Sequence, residues 1–194
     1  LQRMVWAGES AGGNLVTSLA VASCWRQKGP VASAVFEAGP PPTVLLPACG
    51  YLEVSRPERH AAERKLPRWM QSRIQQVSDE YVPDHHVPKP EHLFANPLPF
   101  LESAPPPDRT FPATFGIVGD RDPVLGDTLR LPAAVQRHGA TGAAKVYPGG
   151  IHAFHAIWFK ALARQAWADQ FAFIERHLRP GQPHETLAPD APNR

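Results

Sequence analysis

The sequence has few cysteines, no long apolar run and almost no excess of charge, and each shortage excludes a class of protein. Its two cysteines, Cys24 and Cys49, fit neither a disulfide framework nor a set of metal ligands. No apolar run approaches the ~20 residues that a membrane-spanning helix needs. The net charge is only +2 and no basic residues cluster, so the sequence does not indicate nucleic-acid binding.

The remaining composition is typical of a soluble globular protein of one domain. Hydrophobic residues make up 43% of the 194 residues and charged residues 20%, which is enough for a sizeable core. Cys24 falls within a helical pattern and is predicted to be a small buried apolar side chain. The cysteine usage favours a reducing, cytoplasmic compartment. The sequence starts at Leu1, directly before a strand pattern, so we expect it to be the C-terminal part of a longer protein.

Proline is abundant, with 23 residues concentrated between Pro40 and Pro112. The stretch 43–110 is mostly irregular, and one helix is predicted within it at 66–82. An excursion of this length between two strands is too long for a simple connection, so we interpret it as an inserted cap-like segment. Apolar residues recur on one face of its helix and predict a docking surface rather than a cofactor site. These residues are Trp69, Met70, Ile74, Val77 and Tyr81.

Strand and helix patterns alternate along the rest of the chain. Strands are predicted at 4–7, 31–36, 112–118 and 145–147, and helices at 12–27, 126–138 and 153–178. This order predicts an α/β fold with a mostly parallel sheet and helices on both faces, in which sites form at the carboxyl ends of the strands. Residues 1–178 are predicted to form the domain, and the polar, proline-rich residues 179–194 a disordered tail.

The first strand leads directly into Gly8-Glu9-Ser10-Ala11-Gly12, a G-x-S-x-G motif, and a helix follows at once. Strand, tight turn and helix in this order are the context of a nucleophile elbow, in which Ser10 projects its hydroxyl from a strained turn. Gly8 and Gly12 stand two residues on either side of Ser10, where we expect a Cβ to collide with the neighbouring backbone. The helix N-terminus aims free N–H groups at the reacting oxygen.

A nucleophilic serine needs a base, and the base needs an orienting carboxylate. In this type of fold the carboxylate and then the histidine follow later strands. After the third strand Asp122 is the predicted carboxylate, with Asp120 as the alternative and Asp127 as the cap of the next helix. After the fourth strand His152 is the predicted base, because it lies in the loop at the end of that strand. His155, one turn into the following helix, is the weaker candidate.

The other histidines do not predict a second site. His85 and His86, together with Asp84, would offer metal ligands, but no second group of ligands stands at a suitable spacing. We therefore expect neither a metal nor a cofactor.

Three segments together resemble one family. They are GESAGGNL at 8–15, GDRDPV at 119–124 and YPGGIHAF at 147–154. These segments are similar to the elbow, the acid loop and the base loop of the hormone-sensitive-lipase-like branch of the α/β-hydrolase fold. The resemblance extends over residues 3–178 and implies the C-terminal part of an α/β-hydrolase sheet.

The resemblance also implies a reaction and the residues that perform it. The reaction is hydrolysis of a small-molecule carboxylic ester through an acyl-enzyme. Ser10 would be the nucleophile, His152 the base and Asp122 the carboxylate that orients it. The N–H of Ala11 would be one donor of the oxyanion hole.

The sequence departs from the family in one way that bears on activity. The family's H-G-G-G loop, which precedes the elbow and supplies further oxyanion donors, does not occur in these 194 residues. Loss of one such donor typically costs about 10²–10³ in rate. Two alternatives to a serine esterase therefore stay open: an inactive chain, and a relative that binds a ligand without turnover. Peptidase, thioesterase and lactonase activities also stay open, since the three residues do not select the acyl donor.

Overall fold

Four parallel strands form one sheet in the computed structural model, which describes residues 3–87 and 89–179. Their spatial order follows the sequence, and they are β1 (Val5–Glu9), β2 (Val44–Ala48), β3 (Ala113–Gly119) and β4 (Gly142–Tyr147). Each strand pairs with the next in parallel; Leu45 of β2, for example, lies opposite Thr114 of β3. The carboxyl ends of all four strands therefore meet at one edge of the sheet.

Helices connect the strands. Two helices link β1 to β2, one links β3 to β4, and one follows β4. They are α1 (Ala11–Cys24), α2 (Pro30–Ala38), α6 (Leu125–Gln136) and α7 (Ala161–Leu178). The segment between β2 and β3 holds α3 (Glu58–Glu63), α4 (Arg68–Tyr81), a 3₁₀ helix (Pro90–Ala95) and α5 (Pro97–Ser103). A second 3₁₀ helix (Phe154–Ala156) precedes α7.

The sheet separates two hydrophobic cores. Alternate residues of a strand point to opposite faces, so neighbouring residues of β2 join different cores. Leu45 belongs to the cluster that contains Val21 of α1 and Leu131 of α6. Leu46 belongs to the cluster that contains Phe173 of α7. All residues of β2 and β3 are buried, whereas β1 at the sheet edge has no buried residue, so β2 and β3 form the buried centre of the sheet.

The strand predicted at 31–36 is wrong, because these residues lie in α2. Pro30 occupies the first turn of α2, where its missing N–H costs no hydrogen bond. The buried side chains of α2 are Ala32 and Phe36, which share one face of a helix. The second strand of the sheet is β2, inside the stretch 43–110 that was predicted to be an insertion. The segment that separates two strands therefore starts only after β2, and its role as a cap stays a prediction.

Three further expectations about helices change. The helix predicted at 153–178 is divided, and α7 begins only at Ala161. A proline at position 132 gives a later start as an alternative for the helix predicted at 126–138, but α6 starts at Leu125 and contains Pro132, so this alternative is wrong. On α4, the buried Ile74 packs in one cluster with Met70 and Val77, but Trp69 and Tyr81 are 68% and 53% exposed, so only part of the predicted apolar face is buried.

The remaining expectations concern the burial of Cys24, the tail, membrane spans and the location of the protein. Cys24 is fully buried in the core, as predicted. The predicted disordered tail falls almost wholly on residues 180–194, which lie outside the described residues. Within the described ranges, no helix combines the length and the apolar character needed to cross a bilayer. The cytoplasmic location stays a prediction.

Candidate active site

Ser10 stands between β1 and α1 in a backbone conformation that few side chains adopt, with φ 54° and ψ −114°. Its amide donates to the carbonyl oxygen of Ala48 at 2.9 Å, which ties the turn to the end of β2. A Cβ on Gly8 would lie 2.1 Å from the carbonyl oxygen of Gly12, so the turn requires glycine at position 8. Open space surrounds a Cβ at Gly12, so the collision predicted there is wrong. The crowded position in the helix is Gly13, whose Cβ would lie 2.9 Å from the backbone that follows β2.

His152 joins Ser10 and Asp122 in one line of hydrogen bonds. The Nδ1–H of His152 donates to the two carboxylate oxygens of Asp122, at 3.1 and 3.0 Å. With that proton on Nδ1, the Nε2 atom accepts the hydroxyl proton of Ser10 at 2.9 Å. The structure thus brings together all three residues that the sequence predicted, although 142 positions separate Ser10 from His152.

Burial and charge adjust the imidazole for proton transfer. The carboxylate of Asp122 is fully buried, whereas 37% of the His152 side chain is exposed. The hydrogen bond to Asp122 raises the pKa of His152 above its usual value, and burial only partly opposes this rise. An imidazolium at this position would lie next to a carboxylate that stabilises it. The arrangement can therefore take a proton from Ser10 and hold the resulting charge.

Asp122 and the alternative carboxylate, Asp120, have separate partners. Besides His152, Asp122 accepts a hydrogen bond from the amide of Val124 at 2.9 Å. The carboxylate of Asp120 accepts from the amide of Gly149 at 2.8 Å. Asp120 thus fastens the loop after β4, while Asp122 is the carboxylate that reaches the imidazole.

Ala11 is the first residue of α1, so its amide has no acceptor within the helix. This amide adjoins Ser10 at the positive end of the α1 dipole. It is therefore free to donate to an oxygen held beside Ser10.

His155, the weaker candidate for the base, faces Glu9 instead of Ser10. Its Nε2 lies 3.4 Å from a carboxylate oxygen of Glu9, and its ring packs against Trp167 with 5.7 Å between centroids. Burial lowers the pKa of His155, and the charge of Glu9 works against that effect. The environment therefore favours a neutral ring that packs and pairs beside the site.

Cys49 is a neighbour of the site that sequence reasoning missed. It follows β2 with φ 48°, and its Sγ lies within 4.8 Å of a carboxylate oxygen of Asp122 and a ring nitrogen of His152. No other group of three such side chains in the described residues could converge on a metal ion. Burial, reinforced by the charge of Asp122, raises the pKa of the Cys49 thiol, so the thiol stays protonated. Only the parallel order of β1 and β2 would have indicated that it lies beside the elbow.

The histidines at 85 and 86 lie apart from this site. His85 pairs with Asp79 at 2.8 Å, and both His85 and His86 line a cavity of about 900 Å³ beside the segment between β2 and β3. The residues that line this cavity include none of Ser10, Asp122 and His152. This cavity is therefore not the place where Ser10, Asp122 and His152 meet.

Comparison with known proteins identifies the family. The sequence profile of the family described as alpha/beta hydrolase fold matches residues 1–156. Because this match covers most of the chain, the chain belongs to the α/β-hydrolase fold family. The fold class and the family resemblance predicted from the sequence are confirmed. A search of curated proteins found no match.

Several solved structures share the fold. An esterase/lipase from an uncultured bacterium is 19% identical, with a TM-score of 0.62 over 89% of this chain and 52% of that protein. An esterase from the bacterial hormone-sensitive lipase family is 17% identical, with a TM-score of 0.65 over 91% and 54%. Carboxyl esterase 2 from the mycorrhizal fungus Tuber melanosporum is 19% identical, with a TM-score of 0.64 over 91% and 55%. The chain spans about half the length of these proteins.

Proposed function

We propose that this chain carries the reaction centre of a serine hydrolase that cleaves carboxylic esters through an acyl-enzyme. One observation supports the proposal above all: the continuous line of hydrogen bonds from Asp122 through His152 to Ser10. Three side chains in this order are the machinery that converts a weak hydroxyl nucleophile into an alkoxide-like one. The names of the similar solved structures, esterases and lipases, point to the same chemistry.

The reaction follows from the positions of the protons. Nε2 of His152 takes the hydroxyl proton of Ser10 as Oγ bonds to the ester carbonyl carbon, and Asp122 stabilises the imidazolium. His152 then gives this proton to the departing alcohol oxygen, which leaves the acyl group on Ser10. A water molecule attacks the acyl carbon while His152 takes its proton. Return of that proton to Oγ of Ser10 releases the carboxylic acid and restores the enzyme.

The carbonyl oxygen becomes negatively charged in both steps and needs donors. The amide of Ala11 supplies one, at the end of α1 where the helix dipole also favours negative charge. The substrate is a small-molecule ester, and no step requires a metal or a cofactor.

Hydrolysis of p-nitrophenyl acetate and p-nitrophenyl butyrate tests the proposal. The unchanged chain should release p-nitrophenol, and Ser10→Ala should lower kcat by about 10⁴ or more without unfolding the protein. Ser103→Ala is the matched control, since Ser103 is an exposed serine that donates to the carbonyl of Pro99. A folded chain that cleaves neither ester, or a Ser10→Ala variant as fast as the control, would contradict the proposal.

A second candidate function is ligand binding without turnover. It concerns the oxyanion donors: the described residues offer the amide of Ala11, and no H-G-G-G motif occurs in these 194 residues. A chain of this kind would bind an ester in calorimetry and leave it intact. Steady release of p-nitrophenol would exclude this candidate.

A further inference from the structure

In the segment between β2 and β3, Arg64 is a side chain that binds the backbone of the acid turn, residues 119–122. Arg64 lies just after α3 and is half-buried. Its Nη1 donates to the carbonyl oxygen of Asp122 at 2.8 Å, and its Nη2 donates to the carbonyl oxygen of Asp120 at 2.5 Å. One planar guanidinium therefore donates to two backbone carbonyls of the acid turn.

The acid turn in turn holds the loop that carries His152. The amide of Asp120 donates to the carbonyl of Tyr147 at 3.1 Å, and the amide of Arg121 donates to the carbonyl of Gly150 at 2.9 Å. The carboxylate of Asp120 accepts from the amide of Gly149. Fixing the turn at positions 120 and 122 therefore fixes both partners of the Asp122–His152 hydrogen bond relative to each other.

Arg64 differs from Arg59 of α3 in the kind of acceptor that its guanidinium contacts. The guanidinium of Arg59 pairs with the carboxylates of Glu53, Glu63 and Asp127. Pairs of that kind neutralise charge. The donors of Arg64 are directed to backbone carbonyls, where the planar fork of arginine fixes direction as well as distance.

We propose that Arg64 is a positioning residue for the ester hydrolysis proposed above, on which this inference rests. Its guanidinium aligns the carboxylate of Asp122 with Nδ1–H of His152 by holding the acid turn. The segment between β2 and β3 thus takes part in the reaction without touching the substrate. A misplacement of about 1 Å in such a constellation costs on the order of 10²-fold in rate.

The test combines an NMR signal that needs no turnover with kinetics on the full chain. The Nδ1 proton of His152, held by a buried carboxylate, should give a sharp, strongly downfield resonance in the unchanged protein. The variants are Arg64→Ala, Arg64→Gln and Arg64→Lys. Arg73→Ala is the matched control, because Arg73 lies on α4 in the same segment and donates to Gln76 at the surface.

Arg64→Ala and Arg64→Gln should broaden or abolish the resonance and lower kcat about ten- to a hundredfold, with KM for p-nitrophenyl butyrate within about twofold. Arg64→Lys should recover part of both, because an ammonium can reach only one carbonyl at a time. Arg73→Ala should change neither. A merely structural role would lower the melting temperature and leave the resonance and kcat of the folded protein unchanged.

Two outcomes separate the possible failures. If all folded Arg64 variants keep the resonance and kcat of the unchanged protein, the positioning role is contradicted and the proposed function stands. If the unchanged protein lacks the resonance and Asp122→Asn does not alter its spectrum, the hydrogen bond itself is absent, and both proposals fall. Should Arg64→Ala not fold, the comparison of Arg64→Lys with Arg64→Gln decides.

Discussion

Two carboxylates, Asp122 and Asp127, lie five positions apart around the start of α6, and both are completely buried. Asp122 accepts from the ring of His152 and from one amide. Asp127 accepts from the amides of Leu52 and Glu53 and forms an ion pair with Arg59. The expectation that Asp127 caps α6 is therefore wrong, since its carboxylate binds the backbone that follows β2.

The difference between the two regions lies in what their charges are free to do. Around Asp127, arginines and carboxylates satisfy one another in a network whose members are Glu53, Arg56, Arg59, Glu63, Glu102, Asp127 and Arg130. Beside Asp122, the imidazole of His152 is partly exposed and keeps one nitrogen directed at Ser10. A closed network fixes structure, whereas an open pair can move a proton. The predictions below test this division, from the largest expected effect to the smallest.

Removing the charge of Asp122 should affect the reaction far more than the fold. In Asp122→Asn, kcat should fall by about 10⁴, because an amide favours the wrong imidazole tautomer and no longer stabilises the imidazolium. The free energy of unfolding, measured in urea, should fall by much less than the free energy that corresponds to this fall in kcat. A variant with kcat within tenfold of the unchanged protein would show that Asp122 does not orient the base.

Removing the charge of Asp127 should do the reverse. Asp127→Asn leaves Arg59 with fewer carboxylates in a mostly buried position, so the free energy of unfolding should fall by about 2–4 kcal/mol. At a temperature where the variant is folded, kcat should stay within about threefold. The division between a structural Asp127 and a reactive Asp122 would be contradicted if Asp127→Asn lost activity to the same degree as Asp122→Asn while remaining folded.

The network around Asp127 adjoins a buried histidine, His60, which should make the folded state less stable in acid. His60 is fully buried against the ring of Tyr51, and burial lowers its pKa from 6.5 to about 4. As the pH falls from 6.5 towards 4, His60 binds a proton in the unfolded state but not in the folded state. Stability should therefore fall over this range by about 3 kcal/mol, at about 1.4 kcal/mol per pKa unit.

His60→Phe should flatten this dependence, measured as the urea midpoint between pH 7 and 4. His86→Gln is the control, because His86 is exposed. An equally steep fall in His60→Phe would assign the acid sensitivity to other groups.

The pair of Asp122 and His152 should make activity depend on pH. His152 must be neutral to take the proton of Ser10, and the hydrogen bond to Asp122 raises its pKa above 6.5. Below that raised pKa, kcat/KM should fall about tenfold per pH unit. In Asp122→Asn the residual activity should show the same limb at lower pH. If the acid limb of the pH profile does not shift in Asp122→Asn, a group other than His152 causes it.

The contribution of His152 to stability has the opposite sign to that of His60. Its folded pKa is raised, so the stabilisation is fully present below the unfolded pKa of 6.5 and is lost as the pH rises through the folded value. The two histidines therefore act in opposite directions on the fold.

The sequence was enough to predict that the side chains of Ser10, Asp122 and His152 meet, because each position depends on local signals. Ser10 follows from a glycine pattern between a strand and a helix, and Asp122 and His152 each follow a strand. The parallel sheet then brings these strand ends together, as general rules of α/β folds require.

The second strand was missed because local signals conflict there. Pro47 lies within β2, and proline usually excludes a central strand because it lacks an N–H. Leu45 and Ala48 of β2 each pair with a residue of β3, whereas Pro47 does not, so the proline stands where the β2–β3 ladder is interrupted. Residues 31–36 carry a strand-like composition, but the buried pair at positions 32 and 36 marks a helix face.

Cys49 and Arg64 could not be predicted from the sequence for a different reason. Neither lies in a motif, and their contacts with the acid turn depend on how distant segments pack. The Arg64 contact joins positions 58 residues apart, through backbone carbonyls that carry no signature in the sequence.

The central claim is that His152 activates Ser10 as a nucleophile, and covalent labelling measures this most directly. The chain is treated with a fluorophosphonate, and the adduct is located by mass spectrometry of intact protein and peptides. We predict one adduct per chain on Ser10, formed much more slowly in His152→Ala and unaffected in Ser103→Ala. Labelling of another residue, or equally fast labelling of Ser10 in His152→Ala, would contradict the claim.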